Sequence, residues 1–471
     1  MLVDPDFVPF QPPPKPLGLR GLPTLWRNYI ETIPQPAYEQ GITHVRTRYS
    51  DVLLVCEPEV IGEILVEKAD AFGRDPATRR SFKPVVGENS IFVADGAEWR
   101  WQRRAAAPIF RHETILSFVP LFAAMAERQI ERWKAAARPD GPVDAAAAMT
   151  RTTFDIIVES MLGGSASLDP ERYSRALTEN FDTIPWHLIY TMFAVPEWMP
   201  FPNRSRAMRS RDFLHRDMRR IIEMRRTKPS PQPDLLDQLL AARDPETGRG
   251  MSDAEVVNNL LTFIAAGHET TAVALTWTLW LLAKDQASQQ RAYDEVINAA
   301  GAGPFTAAHV DRLVFCRQVI SEAMRLYPAV PGVGRLPNRA MVLGGAPVST
   351  RTRVHIPIFA LHRNERLWDN PNAFDPDRFS ADKVKARSRY AFLPFGGGPR
   401  VCIGASFATI EAAVILAVLV RAFRFLPVAG HKPKPVARVT LRPAGGMLLY
   451  VAARANQPIA DRAFSKARKA S

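Results

Sequence analysis

At 471 residues, with 46% hydrophobic and 23% charged side chains, the chain can bury a sizeable core; no glycine–serine linker, repeat or low-complexity block divides it. Its three cysteines, Cys56, Cys316 and Cys402, lie far apart, which excludes an all-cysteine iron–sulfur cluster, a paired zinc site and a disulfide framework, and points to a reducing, cytoplasmic setting. The net charge of +13 comes without a helix-turn-helix, zinc finger or basic–aromatic stripe, so no nucleic-acid partner is expected; an acidic protein partner or a solvated surface accounts for it.

Residues 1–39 read as a proline-rich N-terminal arm, residues 40–455 as one large domain and residues 456–471 as a basic tail. Met1 to Gly18 contain no long apolar run, so neither a signal peptide nor a transmembrane anchor is expected. Thr43 to Arg48 and Asp51 to Cys56 predict a hairpin turning at Tyr49-Ser50, followed by a helix from Pro58 to Ala69. Phe72 to Ser90 mix charge, proline and glycine without periodicity, as a surface loop would. Gly96 to Arg104 open a basic amphipathic helix in which Trp99 and Arg103 share one face and Arg100 and Arg104 the next. Leu116 to Ala137 and Val143 to Leu162 carry apolar residues at the spacing of buried helices. Pro185 to Pro202 are strongly apolar, compatible with a buried helix pair, a lid over an apolar substrate, or a monotopic membrane contact. Met208 to Arg226 predict a basic helix broken by Lys228 to Pro233.

Ser252-Asp253-Ala254-Glu255 has the spacing of a capping box, opening a helix that runs to about Lys284. Its middle, Ala266-Gly267-His268-Glu269-Thr270-Thr271, joins a glycine to two β-branched residues, a choice that does not optimise helix stability. The physical reading is a local opening: Gly267 admits a ligand to the backbone, and Thr270 bonds back to the Ala266 carbonyl and bends the helix. An acid beside a hydroxyl at such an opening suits proton delivery. A packing glycine with an exposed glutamate is the competing reading, and His268 is expected on the helix surface.

Gln318 to Tyr327 predict a helix ended by Pro328, with Glu322 and Arg325 spaced for an i, i+3 ion pair. Val342-Leu343, Arg353 to Ile356 and Arg438 to Leu441 read as short strands, and Arg442 to Leu448 as a hairpin end around Gly445-Gly446. The chain is therefore mainly α with a smaller β region. Its densest motif is Phe395-Gly396-Gly397-Gly398-Pro399-Arg400-Val401-Cys402-Ile403-Gly404, directly before a helix from Ala405 to Phe423. A cysteine at a helix N-terminus favours the thiolate. Glycines let a flat ligand lie close, and Arg400 offers a cation to an acidic substituent. A thiolate beneath a planar, acidic ligand suggests haem iron with an axial sulfur.

The Phe-Gly-x-Gly-x-Arg-x-Cys-x-Gly pattern resembles the haem-ligand loop of the cytochrome P450 family, and four further segments agree in order. Trp99 and Arg103 match a Trp-x-x-x-Arg helix that binds a haem propionate. Ala266, Gly267, Glu269 and Thr270 match the oxygen-handling helix, with Glu269 and Thr270 in proton delivery and Ala266 and Gly267 bordering the oxygen pocket. Glu322, Arg325 and Arg378 of Pro376-Asp377-Arg378-Phe379 resemble a structural triad. Arg335 would bind a propionate, with Val330 and Val333 lining the pocket; Ala360 to Asn364 also fit. The resemblance spans about residues 40 to 450 and implies the P450 fold as a single large domain. It further implies haem b held by Cys402 with Phe395, Arg400 and Gly404, and O2 as co-substrate. A lipophilic substrate and a separate ferredoxin or flavodoxin-type electron donor, docking at Arg100 and Arg104, complete the expectation. By the same resemblance, 185–202 is the lid. The acid–threonine pair favours a monooxygenase over a peroxygenase, isomerase or dehydratase of the haem-thiolate class, or a non-catalytic haem sensor or carrier.

Overall fold

The longest helix of the computed structural model, Asp253–Lys284, runs unbroken through the core. Its start is the expected capping box: Ser252 Oγ accepts the Glu255 N–H, and the Glu255 carboxylate accepts the Ser252 N–H at 2.8 Å. Helices Ala145–Leu162, Val314–Leu326 and Ala405–Ala422 pack against it. Most of its length is buried, and its composition is largely apolar to match. The structure describes residues 13, 21–47, 51–136, 141–163, 168–228 and 234–454. The Tyr49-Ser50 turn, residues 229–233 of the expected helix breaker and the basic tail lie outside them.

Ala405–Ala422 is, among the described residues, the one helix long and apolar enough to cross a membrane. It is enclosed by protein instead: every residue from Ala413 to Val420 is fully buried. Residues 21–39, the end of the proline-rich N-terminal arm, fold onto the body. Ile30 is fully buried there, and the Asn28 side chain donates to the Pro435 carbonyl and accepts from the Ala437 N–H, both at 2.9 Å.

The main sheet has five strands in the order Ile42–Arg46, Asp51–Val55, Arg353–Ile356, Val333–Pro337 and Phe72–Arg74. The first two pair antiparallel, as the hairpin reading requires. The expected loop from Phe72 to Ser90 is instead the last strand followed by the helix Pro76–Val86. Asp75 caps that helix by accepting the Ala77 N–H at 2.9 Å, with Pro76 in the first position, where its missing N–H costs nothing. The helix expected from Pro58 to Ala69 is α only through Gly62, then a π turn over Glu63–Glu67. Val143–Asp144 is not helical; it pairs with Leu448-Leu449. Arg438 to Thr440 form the tip of a hairpin between Lys434–Ala437 and Leu441–Ala444, replacing the predicted strand. The Gly445-Gly446 turn closes no hairpin, because Leu448–Ala453 pairs with Phe423–Pro427.

Candidate active site

Two glycines of the 395–404 loop occupy the left-handed region, Gly396 at φ +72° and Gly398 at φ +67°. The Cys402 N–H donates to the Phe395 carbonyl at 2.9 Å and closes the loop. A Cβ on Gly398 would stand 1.8 Å from the Leu65 carbonyl oxygen, so the loop is seated on the π turn through a contact only glycine permits. This delivers Cys402 just before Ala405–Ala422 with its side chain exposed, whereas Cys56 and Cys316 are buried. At Gly404 a Cβ would meet nothing within 4 Å, so the space beside the backbone is open there as well. Desolvation pushes the Cys402 thiol up, while the Gly404 N–H and the nearby Arg103 guanidinium act in the opposite direction. Those two groups would support a thiolate once a metal ion displaced the proton.

A cationic cluster borders the same region. The antiparallel register sets Arg74 directly opposite Arg335, a pairing that repels. Arg400 reaches them from the loop. Desolvation, reinforced by Arg400, pushes Arg74 down to about 9 and Arg335 down to about 10. Asp95 pairs with Arg400 and accepts the Arg74 backbone N–H at 3.2 Å. Arg400 also lies 4.3 Å from the Trp99 ring centroid. Arg335 donates to the Gly334 carbonyl, and Arg74 Nε has no hydrogen-bond partner. Three guanidinium groups around one carboxylate leave a surplus of positive charge in a largely desolvated place. A flat group bearing two carboxylates and a metal that takes a thiolate fits both clusters, and haem is such a group.

The central helix supplies the wall of an adjoining cavity of about 540 Å³, within the ~300–1,000 Å³ usual for small-molecule sites. Ala266, Glu269 and Thr270 line it, as do Val330, Val333, Arg74 and Arg335. Thr270 Oγ donates to the Ala266 carbonyl at 2.7 Å, the back-bond expected from sequence, yet the helix stays continuous and no opening forms. Gly267 faces away from the cavity. A Cβ there would stand 2.9 Å from Ile157 Cδ1, so the glycine serves the contact with Ala145–Leu162 rather than a ligand. His268, expected on the surface, is buried; its Nδ1 bonds to the Ile264 carbonyl at 2.9 Å and its ring meets Phe154 edge-on. Glu269 is also buried, with its carboxylate held by Thr440 and by Arg442 at 2.6 Å.

The 185–202 segment is a single helix, Ile184–Met192, and an outward turn, not a buried pair. Leu188 and Met192 face the cavity, while Trp198 is 70% exposed. Arg80 ties the turn down through the Val195 and Pro196 carbonyls at 2.6 and 3.1 Å. Arg104, expected free for a partner, is locked to the buried Asp244 carboxylate at 2.8 Å and to Glu246 at 3.1 Å. Arg100 keeps an exposed side chain, 3.8 Å from Asp70.

Behind the loop, Glu322 and Arg325 are fully buried and paired at 2.7 and 2.8 Å. Arg378 Nε lies 3.4 Å from the same Glu322 carboxylate, completing the triad. Arg325 also donates to the carbonyls of His362, Pro371 and Ala373, and Glu322 accepts the Asp375 N–H. The His362 ring accepts the Leu393 N–H at 2.9 Å. Desolvation pushes this imidazole down to about 3, so it stays neutral and able to accept. The triad thereby reaches the residues that enter the cysteine loop. Sequence reasoning missed Arg74, Glu411, Thr440 and Arg442. Arg74 lay in a stretch without periodicity, and the others are placed by pairings between distant segments.

The Cytochrome P450 family model matches residues 37–450. The chain is 30% identical over 395 residues to the cyclooctatin synthase of Streptomyces melanosporofaciens, covering 83% of this chain and 84% of that protein. It is 29% identical over 417 residues to the taurochenodeoxycholic 6 alpha-hydroxylase of Sus scrofa, covering 84% and 81%. The solved haem domain of cytochrome P450DA superposes with a TM-score of 0.77 at 26% identity, over 88% of this chain and 90% of that one. A cysteine loop beside a surplus of positive charge, a cavity on the central helix and a family match over most of the length agree: the chain belongs to the cytochrome P450 family.

Proposed function

We propose that this haem-thiolate monooxygenase binds haem b non-covalently through Cys402 and hydroxylates a lipophilic substrate held against the Ala266–Thr270 face of its central helix. The observation that carries the assignment of the site is the surplus of positive charge at Arg74, Arg335 and Arg400 beside the open Cys402 thiol. Those arginines, with Trp99 and Arg103, would hold the two propionates. The chain has no C-x-x-C-H motif, which supports haem b over covalent attachment. Bound haem supplies the redox chemistry: O2, two electrons and two protons give one oxygen atom in the product and one water. Cys402 would ligate its iron. Thr270 and Glu269 hold and move the protons, with Thr270 Oγ on the cavity wall and Glu269 one residue before it on the same helix. The apolar walls exclude water and orient the guest; relatives named for taurochenodeoxycholic and cyclooctat-9-en-7-ol substrates support a lipophilic one. The Ile184–Met192 helix serves as its lid. Electrons come from a separate ferredoxin or flavodoxin-type protein, and the chain works in the cytoplasm.

The test is Cys402→Ser. Loss of the red-shifted absorption band of the reduced CO complex, with the fold retained by circular dichroism, is the expected result. Survival of that band would overturn the assignment of the ligand.

A further inference from the structure

Glu269 does not stand ready for Thr270. Its carboxylate is gripped from the hairpin Lys434–Ala437/Leu441–Ala444: Thr440 Oγ donates to Oε1, and Arg442 approaches the same oxygen at 2.7 Å through Nε and 2.6 Å through Nη2. The three tip residues, Arg438, Val439 and Thr440, line the same cavity as Glu269 and Thr270. One hydroxyl thus touches both the ligand space and the acid. Leu441, between the two gripping residues, is pinned, because its N–H donates to the Ala329 carbonyl at 3.0 Å and its carbonyl accepts Trp277 Nε1 at 2.8 Å. The strand therefore need not move for the grip to fail. Thr440 can be turned by a guest, and Arg442, its side chain 47% exposed, can swing into water, whereas the Glu269 side chain is 7% exposed.

We propose that Thr440 and Arg442 are a latch on Glu269, opened by a ligand long enough to reach the hairpin tip. Opening frees the carboxyl to turn toward Thr270, and the departing Arg442 leaves bulk water a path to it. Each transfer moves a proton alone, from water to Glu269 and from Glu269 to the Thr270 hydroxyl, which passes its own proton into the cavity; no electrons change hands. Thr440 and Arg442 are positioning residues, and their purpose rests on the reading of Glu269 and Thr270 as the proton carriers. The latch makes proton delivery conditional on a guest that reaches the hairpin tip, so it favours ligands large enough to press on Thr440.

A latch that must open taxes the affinity of whatever opens it. The test uses the ferric holoenzyme and two azoles whose nitrogen binding is visible in the Soret band: imidazole, too small to reach the tip, and 1-dodecylimidazole. Thr440→Val and Arg442→Gln should each tighten 1-dodecylimidazole by about three-fold or more, while imidazole stays unchanged. Arg442→Lys should restore the wild-type Kd, and the double variant should add little to either single one. Unchanged or weaker 1-dodecylimidazole binding in both single variants, with a normal Soret spectrum, overturns the latch. Glu269→Gln tests the underlying reading separately, as hydrogen peroxide released per electron consumed with a surrogate ferredoxin and dodecan-1-ol in the cavity. No rise there overturns the proton role, whatever the titrations give.

Discussion

Glu411 sits on the Ala405–Ala422 helix, 1% exposed, facing Thr271 of the central helix. Desolvation pushes its carboxyl well above its ordinary value of 4.5, against the smaller pull of the Thr271 hydroxyl. The folded state therefore keeps a proton that the unfolded chain releases once pH exceeds about 4.5, so this residue lowers stability as pH rises through that window. Glu411→Gln should raise Tm by on the order of a few degrees at pH 8 and hardly at all at pH 4, where both states hold the proton; melts at the two pH values check it. Thr270 carries the complementary prediction for function. Thr270→Ala removes the cavity-wall hydroxyl assigned to proton transfer, and should cut product formed per electron consumed several-fold while leaving the Soret spectrum intact. Equal coupling in the variant would count against the role.

At the scale of elements, the cysteine loop depends on what lies behind and beneath it. Gly398→Ala would place a methyl 1.8 Å from the Leu65 carbonyl oxygen and force a residue with a side chain into φ +67°. A strain of at least ~1–2 kcal/mol from the backbone alone, added to the clash, should shift the loop, lowering haem content and the CO-complex band while secondary structure persists. His362→Phe tests the support from the other side. It leaves the Leu393 N–H buried without an acceptor, which costs roughly 1–3 kcal/mol, and should lower Tm and speed haem loss. Elements whose signals are local could be read from sequence: the capping box at Ser252–Glu255, the Glu322–Arg325 pair and the hairpin near Thr43. Elements fixed by distant partners could not. The strand Phe72–Arg74 is three residues long and exists because Val333–Pro337 pairs with it. Arg438 to Thr440 have strand-like composition, yet they are a tip because Lys434–Ala437 pairs with Leu441–Ala444. The Asp75-Pro76 helix start was local and legible; the irregular composition after it hid the helix.

For the whole molecule, the +13 charge favours an acidic electron donor through a surface field that salt screens. Sequence placed Arg100 and Arg104 together on that surface, because four residues of helix cannot tell which arginine finds a partner in another segment. The fold separates them. Arg104 lies between Asp244 and Glu246, and its hydrogen bond to Asp244 holds that carboxyl well below the usual range. The pair therefore stabilises the fold above pH 4 or so, and the contribution fades as the pH falls and Asp244 takes up a proton. Arg104→Ala should lower Tm at pH 7, with the loss shrinking toward the acid limit, and should leave the salt dependence of reduction as in the wild type. Arg100 is 53% exposed and 3.8 Å from a fully exposed Asp70, a contact too loose and too solvated to occupy it. Its helix also carries Trp99 and Arg103, which face the cofactor-side clusters, so a donor seated on Arg100 would dock close to the thiol side of the site. Arg100→Glu should slow the first electron transfer several-fold at low ionic strength, and the difference should close at about 0.5 M salt, where the Debye length falls to roughly 4 Å. Stopped-flow reduction by a small acidic ferredoxin across a salt series measures both. A rate for Arg100→Glu that matches the wild type at every salt concentration would remove this face from the docking surface.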